Sequence, residues 1–259
     1  MSCTATDQLS RTDACSFTVT VTAPPIINAT QFLAWGDSMT AGEVVSEGQG
    51  LTSHALRVDA AVAYPTDLQT QLANRYTSQT IAVLNRGVKG DTTAQMLSRL
   101  TGTATASAQA FLLLGGANDL PKAETDATAI PAAVNNMRSM VEQAKNAGMS
   151  VFVATLPPEI AGESCLGEGP SGHPLVVDQY NAALRTMIAS ENVTLVDAAQ
   201  AFGPANSTLI DCDGLHLTPA GYHLLAQTFF TGIVAKLERP GTSPQRTTAL
   251  PLIVPGRRR

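Results

Sequence analysis

The sequence predicts a three-layer α/β/α sandwich on a five-stranded parallel sheet, and three observations predict it. From residue 31 onward, short apolar runs alternate with segments of helical period, the signature of successive βαβ units. Each run is apolar enough for burial on both faces, as a sheet covered by helices on either side requires. The chain has 259 residues, 44% of them hydrophobic and 14% charged, which is enough to bury one sizeable core.

Residues 1–25 stand apart from this pattern. Over 16–22 the run Ser-Phe-Thr-Val-Thr-Val-Thr alternates hydroxyl and apolar side chains with the period of a half-buried strand, and Ala23-Pro24-Pro25 ends it. A lone hairpin is marginal in water, so this segment reads as an extension docked on the main domain. The sheet strands are expected at 31–36, 80–85, 110–114, 150–155 and 193–196. Helices are expected at 64–76, 92–100, 130–147, 175–190 and 219–237. In the first, Leu68, Leu72 and Tyr76 form one stripe. The third ends at Gly148, a C-cap, and the last starts with Thr218 as N-cap and Pro219 at the first helical position. Right-handed connections then give the flavodoxin-like strand order 2-1-3-4-5, with a ligand crevice beyond the carboxyl ends of the strands. The expected division is an extension at 1–25, the α/β domain at 26–238 and a tail at 239–259. The basic run Arg257, Arg258 and Arg259 closes that tail and reads as a solvated end.

Charge and composition exclude several function classes. The formal net charge of −5 provides no positive field for a nucleic acid or an anionic membrane surface. No run of about 18 apolar residues occurs, so no membrane span is expected. The first residues lack the basic and apolar regions of a signal peptide, and export cannot be read from them. Neither Gly-x-Gly-x-x-Gly nor Gly-x-x-x-x-Gly-Lys-Ser/Thr follows an expected strand, which argues against nucleotide binding.

Four blocks carry chemistry. The run Phe32-Leu33-Ala34-Trp35-Gly36-Asp37-Ser38 is an apolar strand that breaks at glycine and delivers a serine into the crevice. A serine hydroxyl is a poor nucleophile without an aligned base, and that base needs an acceptor to fix its tautomer. Asp213 and His216, three residues apart around Gly214 and just before the last helix, can supply both. A calcium loop starting at Asp211 and Asp213 fails on its own template, because Leu215 and Tyr222 stand where further ligands belong. Gly90 and Asn118, each following an expected strand, offer an N–H and an amide to a developing oxyanion beside the Ser38 N–H. Taken singly, each block also has an ordinary turn or capping explanation.

In order, the four blocks resemble those of the SGNH (GDSL-like) hydrolase superfamily: Gly-Asp-Ser, a glycine, Gly-x-Asn-Asp, then Asp-x-x-His. The resemblance spans about residues 31–237 and includes Tyr64-Pro65, Arg75-Tyr76 and Gly90-Asp91-Thr92-Thr93. Met39 departs from the leucine common there, a swap of similar volume. The resemblance implies Ser38 as nucleophile and first oxyanion donor, Gly90 and Asn118 as the other donors, and His216 as a base oriented by Asp213. It implies a serine esterase that needs no metal or organic cofactor and acts on a small-molecule or polysaccharide-linked ester. Short-chain acyl esters are the expected substrates, with carbohydrate acetylesterase or lysophospholipase/lipase activity as the alternatives, and a monomer is expected. A non-catalytic extracellular binding protein is the reading from a different class, suggested by the N-terminus alone. There the stretch from Cys3 to Pro25 resembles the last hairpin of an immunoglobulin-like repeat of the HYR type. The four cysteines allow three pairings. Cys3 with Cys15 and Cys165 with Cys212 are the expected bridges, although two free thiols remain an alternative for the second pair. An even count and the HYR-like hairpin point to an oxidising, extracellular compartment.

Overall fold

A computed structural model describes residues 2–16, 23–47, 54–100, 107–162, 165–167 and 172–241. Five parallel strands form the central sheet: β4 (Gln31–Gly36), β7 (Ala82–Gly87), β8 (Ala110–Leu114), β9 (Ser150–Ala154) and β10 (Thr194–Val196). They run side by side as β10-β9-β8-β4-β7, which is the order 2-1-3-4-5 when the five are counted along the chain. Helices cover the sheet in two groups, besides two short ones, α4 (Leu120–Ala123) and α7 (Ala198–Phe202). The helices α2 (Tyr64–Arg75) and α8 (Pro219–Leu237) pack against each other, and α5 (Ala129–Asn146) packs against α3 (Thr93–Arg99) and α6 (Pro174–Glu191).

Apolar side chains explain which strands lie at the centre. Every residue of β8, Ala-Phe-Leu-Leu-Leu, is buried, as is all of β4 after Gln31. With Phe152, Leu68 and Tyr180 these side chains form one continuous core. Tyr64 of α2 stacks on Phe229 of α8, ring centroids 4.8 Å apart, fixing one helical layer. The outer strand β7 departs from the expectation of uniform burial, because Leu84 and Arg86 are exposed. It lies at the sheet edge with β4 as its one neighbour, so only part of its surface meets the core.

Local signals set the helix ends. The hydroxyl of Thr92 accepts the Gln95 N–H while the Gln95 side chain returns to the Thr92 N–H, a capping box that starts α3. Thr218 caps α8 ahead of Pro219, and Gly148, at φ +78°, follows α5.

Three small hairpins or ribbons lie outside the sheet. The strands β1 (Ser2–Thr6) and β2 (Thr12–Ser16) pair antiparallel, and their register sets the backbone of Cys3 opposite that of Cys15. The side chains of both cysteines, the strand expected beyond Ser16 and the C-terminal arginines lie outside the described residues. The strand β3 (Ile26–Ile27) pairs with β11 (Glu238–Arg239), joining the two ends of the α/β region. The third hairpin, β5 (Glu43–Glu47) with β6 (His54–Val58), follows the first βα turn and has no counterpart in the sequence reading.

Candidate active site

Three loops leave the carboxyl ends of β7, β4 and β8 at one level, where Gly36 stands opposite Gly87 on one side and Leu114 on the other. A side chain at Gly36 would strike the Thr40 hydroxyl and the Leu114 carbonyl, so only glycine allows the close turn that follows. Asp37 caps the single turn α1 (Ser38–Ala41) by accepting the Met39 N–H at 3.0 Å. Ser38 opens that turn and is 4% exposed. Asp37 is fully buried, and burial pushes its carboxyl up to about 6 against the hydrogen bond from Met39 and the charge of His216.

Asp213 and His216 sit on a loop held by its own backbone. Ile210 and Leu217 bridge its ends, the Asp211 N–H donates to the His216 carbonyl at 2.8 Å, and the Gly214 N–H donates to Asp211 at 2.9 Å. Gly214 takes φ +78° against the Ile160 carbonyl, a position closed to any side chain. This turn folds the Asp213 carboxylate back on its own loop. Oδ1 accepts the N–H groups of Leu215 at 3.0 Å and His216 at 2.9 Å, and Oδ2 lies 2.6 Å from His216 Nδ1. His216 Nε2 lies 2.9 Å from Ser38 Oγ. An imidazole that donates from Nδ1 to a carboxylate keeps a lone pair on Nε2 for the serine proton, the arrangement nucleophilic catalysis requires.

Electrostatics reinforce this order. Burial raises the Asp213 carboxyl, but hydrogen bonds and charge from His216, with the two backbone N–H groups, hold it below its usual range. For His216, burial opposes the charged form, yet Asp213 and a second carboxylate, Glu43, raise it to about 9.

The structure brings the other expected residues to the same end of the sheet. Gly90 adopts φ +78° with open space around its α-carbon. Asn118 lies in a 3₁₀ turn, Ala117–Asp119, after β8. Its Nδ2 donates one N–H to the Asp91 carbonyl at 3.0 Å, tying the third loop to the second, and an amide nitrogen has a second N–H to offer. Asp119 adds two bonds to Thr93, from its N–H and its hydroxyl, both 2.9 Å. Cys165 and Cys212 form a disulfide, Cα atoms 5.5 Å apart, which joins the loop after β9 to the residue before Asp213.

Four residues around the site have no signal in the sequence. Arg99 of α3 donates to the Gly36 and Arg86 carbonyls, pairs with Asp91 at 2.5 Å and lies 4.0 Å over the Trp35 ring. Glu159 accepts the His173 N–H at 2.6 Å through Oε2 while its buried Oε1 has no partner, and burial pushes its carboxyl up to about 7. Glu43 and Lys89 pair at 2.9 Å beside His216. None of these contacts joins residues close enough along the chain for spacing to reveal it, except Arg99 with Asp91 on one helix and its entry loop. Among the described residues, His54, Cys165 and Cys212 are the His/Cys group spaced like metal ligands, and both sulfurs are already bonded to each other. Among the described residues, no helix is long and apolar enough to cross a membrane.

A family model for GDSL-like lipases and acylhydrolases matches residues 34–224, a span that holds all four blocks and well over half of the chain. The chain belongs to that family. It is an ester hydrolase by that membership. No curated protein is a significant match to the sequence. Solved structures similar in fold include a lipase/acylhydrolase from Enterococcus faecalis, at 22% identity and TM-score 0.61, covering 82% of this chain and 98% of that one. An acetylxylan esterase from Geobacillus stearothermophilus is similar at 22% identity and TM-score 0.61, covering 80% of this chain and 95% of that one. An α/β hydrolase from the metagenome of Lake Arreo, Spain, is similar at 17% identity and TM-score 0.61, covering 79% and 94%. At these identities the likeness is one of fold.

Proposed function

We propose that this GDSL-like hydrolase cleaves short-chain carboxylic esters through a covalent acyl-enzyme. His216 Nε2 takes the Ser38 proton as Oγ attacks the ester carbonyl carbon. The negative charge on the tetrahedral oxygen falls to the N–H groups of Ser38 and Gly90 and to the free N–H of Asn118. Collapse breaks the bond to the alcohol, which leaves with the proton from His216. Water, deprotonated by His216 in turn, attacks the acyl carbon, releasing the acid and restoring Ser38. Asp213 stays ionised throughout and stabilises the imidazolium. The observation that carries this reading is the continuous line from Ser38 Oγ through His216 to Asp213, at 2.9 and 2.6 Å.

The likeness to an acetylxylan esterase supports a second reading, removal of acetyl groups from a polysaccharide. The bridge between Cys165 and Cys212 supports an oxidising, extracellular setting for either, and the N-terminal hairpin reads as a small extension on a monomeric catalytic domain. Rates on p-nitrophenyl esters from acetyl to dodecanoyl, with acetylated xylan alongside, separate these readings. The short-chain reading expects the highest kcat/KM between acetyl and butyryl. A maximum at dodecanoyl contradicts it, and faster acetate release from xylan than from p-nitrophenyl acetate selects the polysaccharide substrate.

A further inference from the structure

Glu43 is the first residue of β5, and it is as buried as the residues of the Ser38–His216–Asp213 line, at 3% exposure. A buried carboxylate needs a reason, and three contacts hold this one in place. Its backbone carbonyl accepts the Tyr222 hydroxyl from α8 at 2.5 Å. Its Oε1 accepts from Lys89 Nζ at 2.9 Å. Its Oε2 stands 3.4 Å from His216 Nε2, the nitrogen that also faces Ser38 Oγ at 2.9 Å. The imidazole ring thus lies between two carboxylates, Asp213 at Nδ1 and Glu43 at Nε2.

We propose that Glu43 is a second electrostatic partner of the histidine base, drawn to His216 only when Nε2 carries a proton, and that Lys89 sets the strength of that pull. The inference rests on the reading of His216 as the base. With the ring neutral, Nε2 presents a lone pair to the carboxylate, and nothing attracts the two. Once Nε2 has taken the Ser38 proton, its N–H can be shared between the serine oxygen and Glu43 Oε2. The proton stays on Nε2 until the leaving alcohol takes it, because the His216 contact and Lys89 keep the Glu43 carboxyl below its usual range despite burial. Charge counting agrees. Asp213, Glu43 and Lys89 together carry one net negative charge, which the imidazolium cancels. An interaction made with the charged ring and absent from the neutral one stabilises the proton-transfer state selectively.

Other groups face the ring or its partners. Asp37 lies on the turn before Ser38, and its charge couples to His216. Tyr222 on α8 is kept neutral by burial. Glu159, beyond Asp213, is pushed toward its neutral form. Among the described residues, the polar partners of Nε2 are Ser38 and Glu43, and Tyr222, whose upward shift Glu43 adds to, stays neutral in either variant because burial is the larger cause.

The same geometry has a cost at low pH, because an imidazolium held by two carboxylates is slow to give up its proton and the free enzyme is then inactive. The test is the acid limb of kcat/KM together with an NMR titration of the ¹⁵N-labelled His216 ring, in wild type, Glu43→Gln and Lys89→Met. Glu43→Gln should move the acid limb and the ring titration down together by about one pH unit or more, with the plateau kcat lowered by up to ~10-fold. Lys89→Met, which frees Glu43 from its cation, should move both in the opposite direction. That shift is smaller, since the Lys89 side chain is largely exposed and screened. A ring titration in Glu43→Gln indistinguishable from wild type overturns the proposal. Should that variant fail to fold, Lys89→Met decides alone, and an unchanged or downward shift overturns it. Failure of the functional reading looks different: His216→Ala would keep esterase activity, while the ring titration in the Glu43 and Lys89 variants would still report the coupling.

Discussion

Ser38 and His216 meet at 2.9 Å, yet the molecule holds them by different means. Ser38 stands on the sheet: it follows the all but fully buried β4, and Arg99 clamps the ends of β4 and β7 to the loop that carries Gly90 and Asp91. Asp213 and His216 stand on a loop that no sheet strand delivers. Backbone bonds within the loop, the Ile160 N–H bond to Gly214 at 2.9 Å and the disulfide at Cys212 hold it in place. The nucleophile side therefore draws its precision from the global core, whereas the acid–base side depends on a few local links. Loss of a single local link should therefore loosen the acid–base side while leaving the backbone that carries Ser38 in place.

The largest expected effect lies on the sheet side. Ser38→Ala should lose on the order of 10⁶ in kcat while keeping a native Tm, since the strand and not the hydroxyl builds that side. A variant of native Tm that retains a tenth of wild-type kcat would contradict the role given to Ser38. Asn118→Ala should lose roughly 10²–10³ in kcat with a smaller change in KM. Because Asn118 also joins two loops through Asp91, a fall in Tm with kcat unchanged would make it a purely structural link.

The disulfide sharpens the contrast. It spans 47 residues, for which chain entropy gives an upper figure of about 4 kcal/mol. Cys165→Ser combined with Cys212→Ser should lower Tm and reduce kcat more than it raises KM, by loosening Asp213 and His216. Unchanged kcat would show that the backbone bonds suffice. The smallest effect concerns Glu159, also on the acid–base side. Burial pushes its carboxyl up to about 7 from its ordinary 4.5, so the folded state binds the proton more tightly and loses stability as pH rises through that window. Glu159→Gln should stabilise the fold at pH 8 by on the order of 1–3 kcal/mol, read as a higher Tm, and the gain should fade toward pH 4.5. A gain equal at both pH values would mean that the charge is not its source.

Much of this was legible in the sequence, and the exceptions have physical reasons. The strands β4 and β8 match the expected 31–36 and 110–114 residue for residue, because uniform burial leaves an apolar run with sharp ends. The edge strand β7 begins and ends two residues later than expected, since partial exposure admits Asn85, Arg86 and Gly87 and blurs the limit. Asp213 with His216 was legible because one turn makes the contact. The hairpin that begins at Glu43 was not, being short and mixed in polarity, and neither were the contacts of Glu43, Lys89 and Glu159, which join residues distant in sequence through the fold alone. Cysteine count and position suggested the 165–212 bridge, and the structure contains it.

The most direct test of the central claim is to trap the covalent step. Wild-type protein treated with a fluorophosphonate that mimics the tetrahedral intermediate should gain one adduct by intact mass, and peptide mapping should place it on Ser38. His216→Ala should label far more slowly, with its fold intact. An adduct on another residue, or full esterase activity in protein whose Ser38 stays unlabelled, would contradict the account.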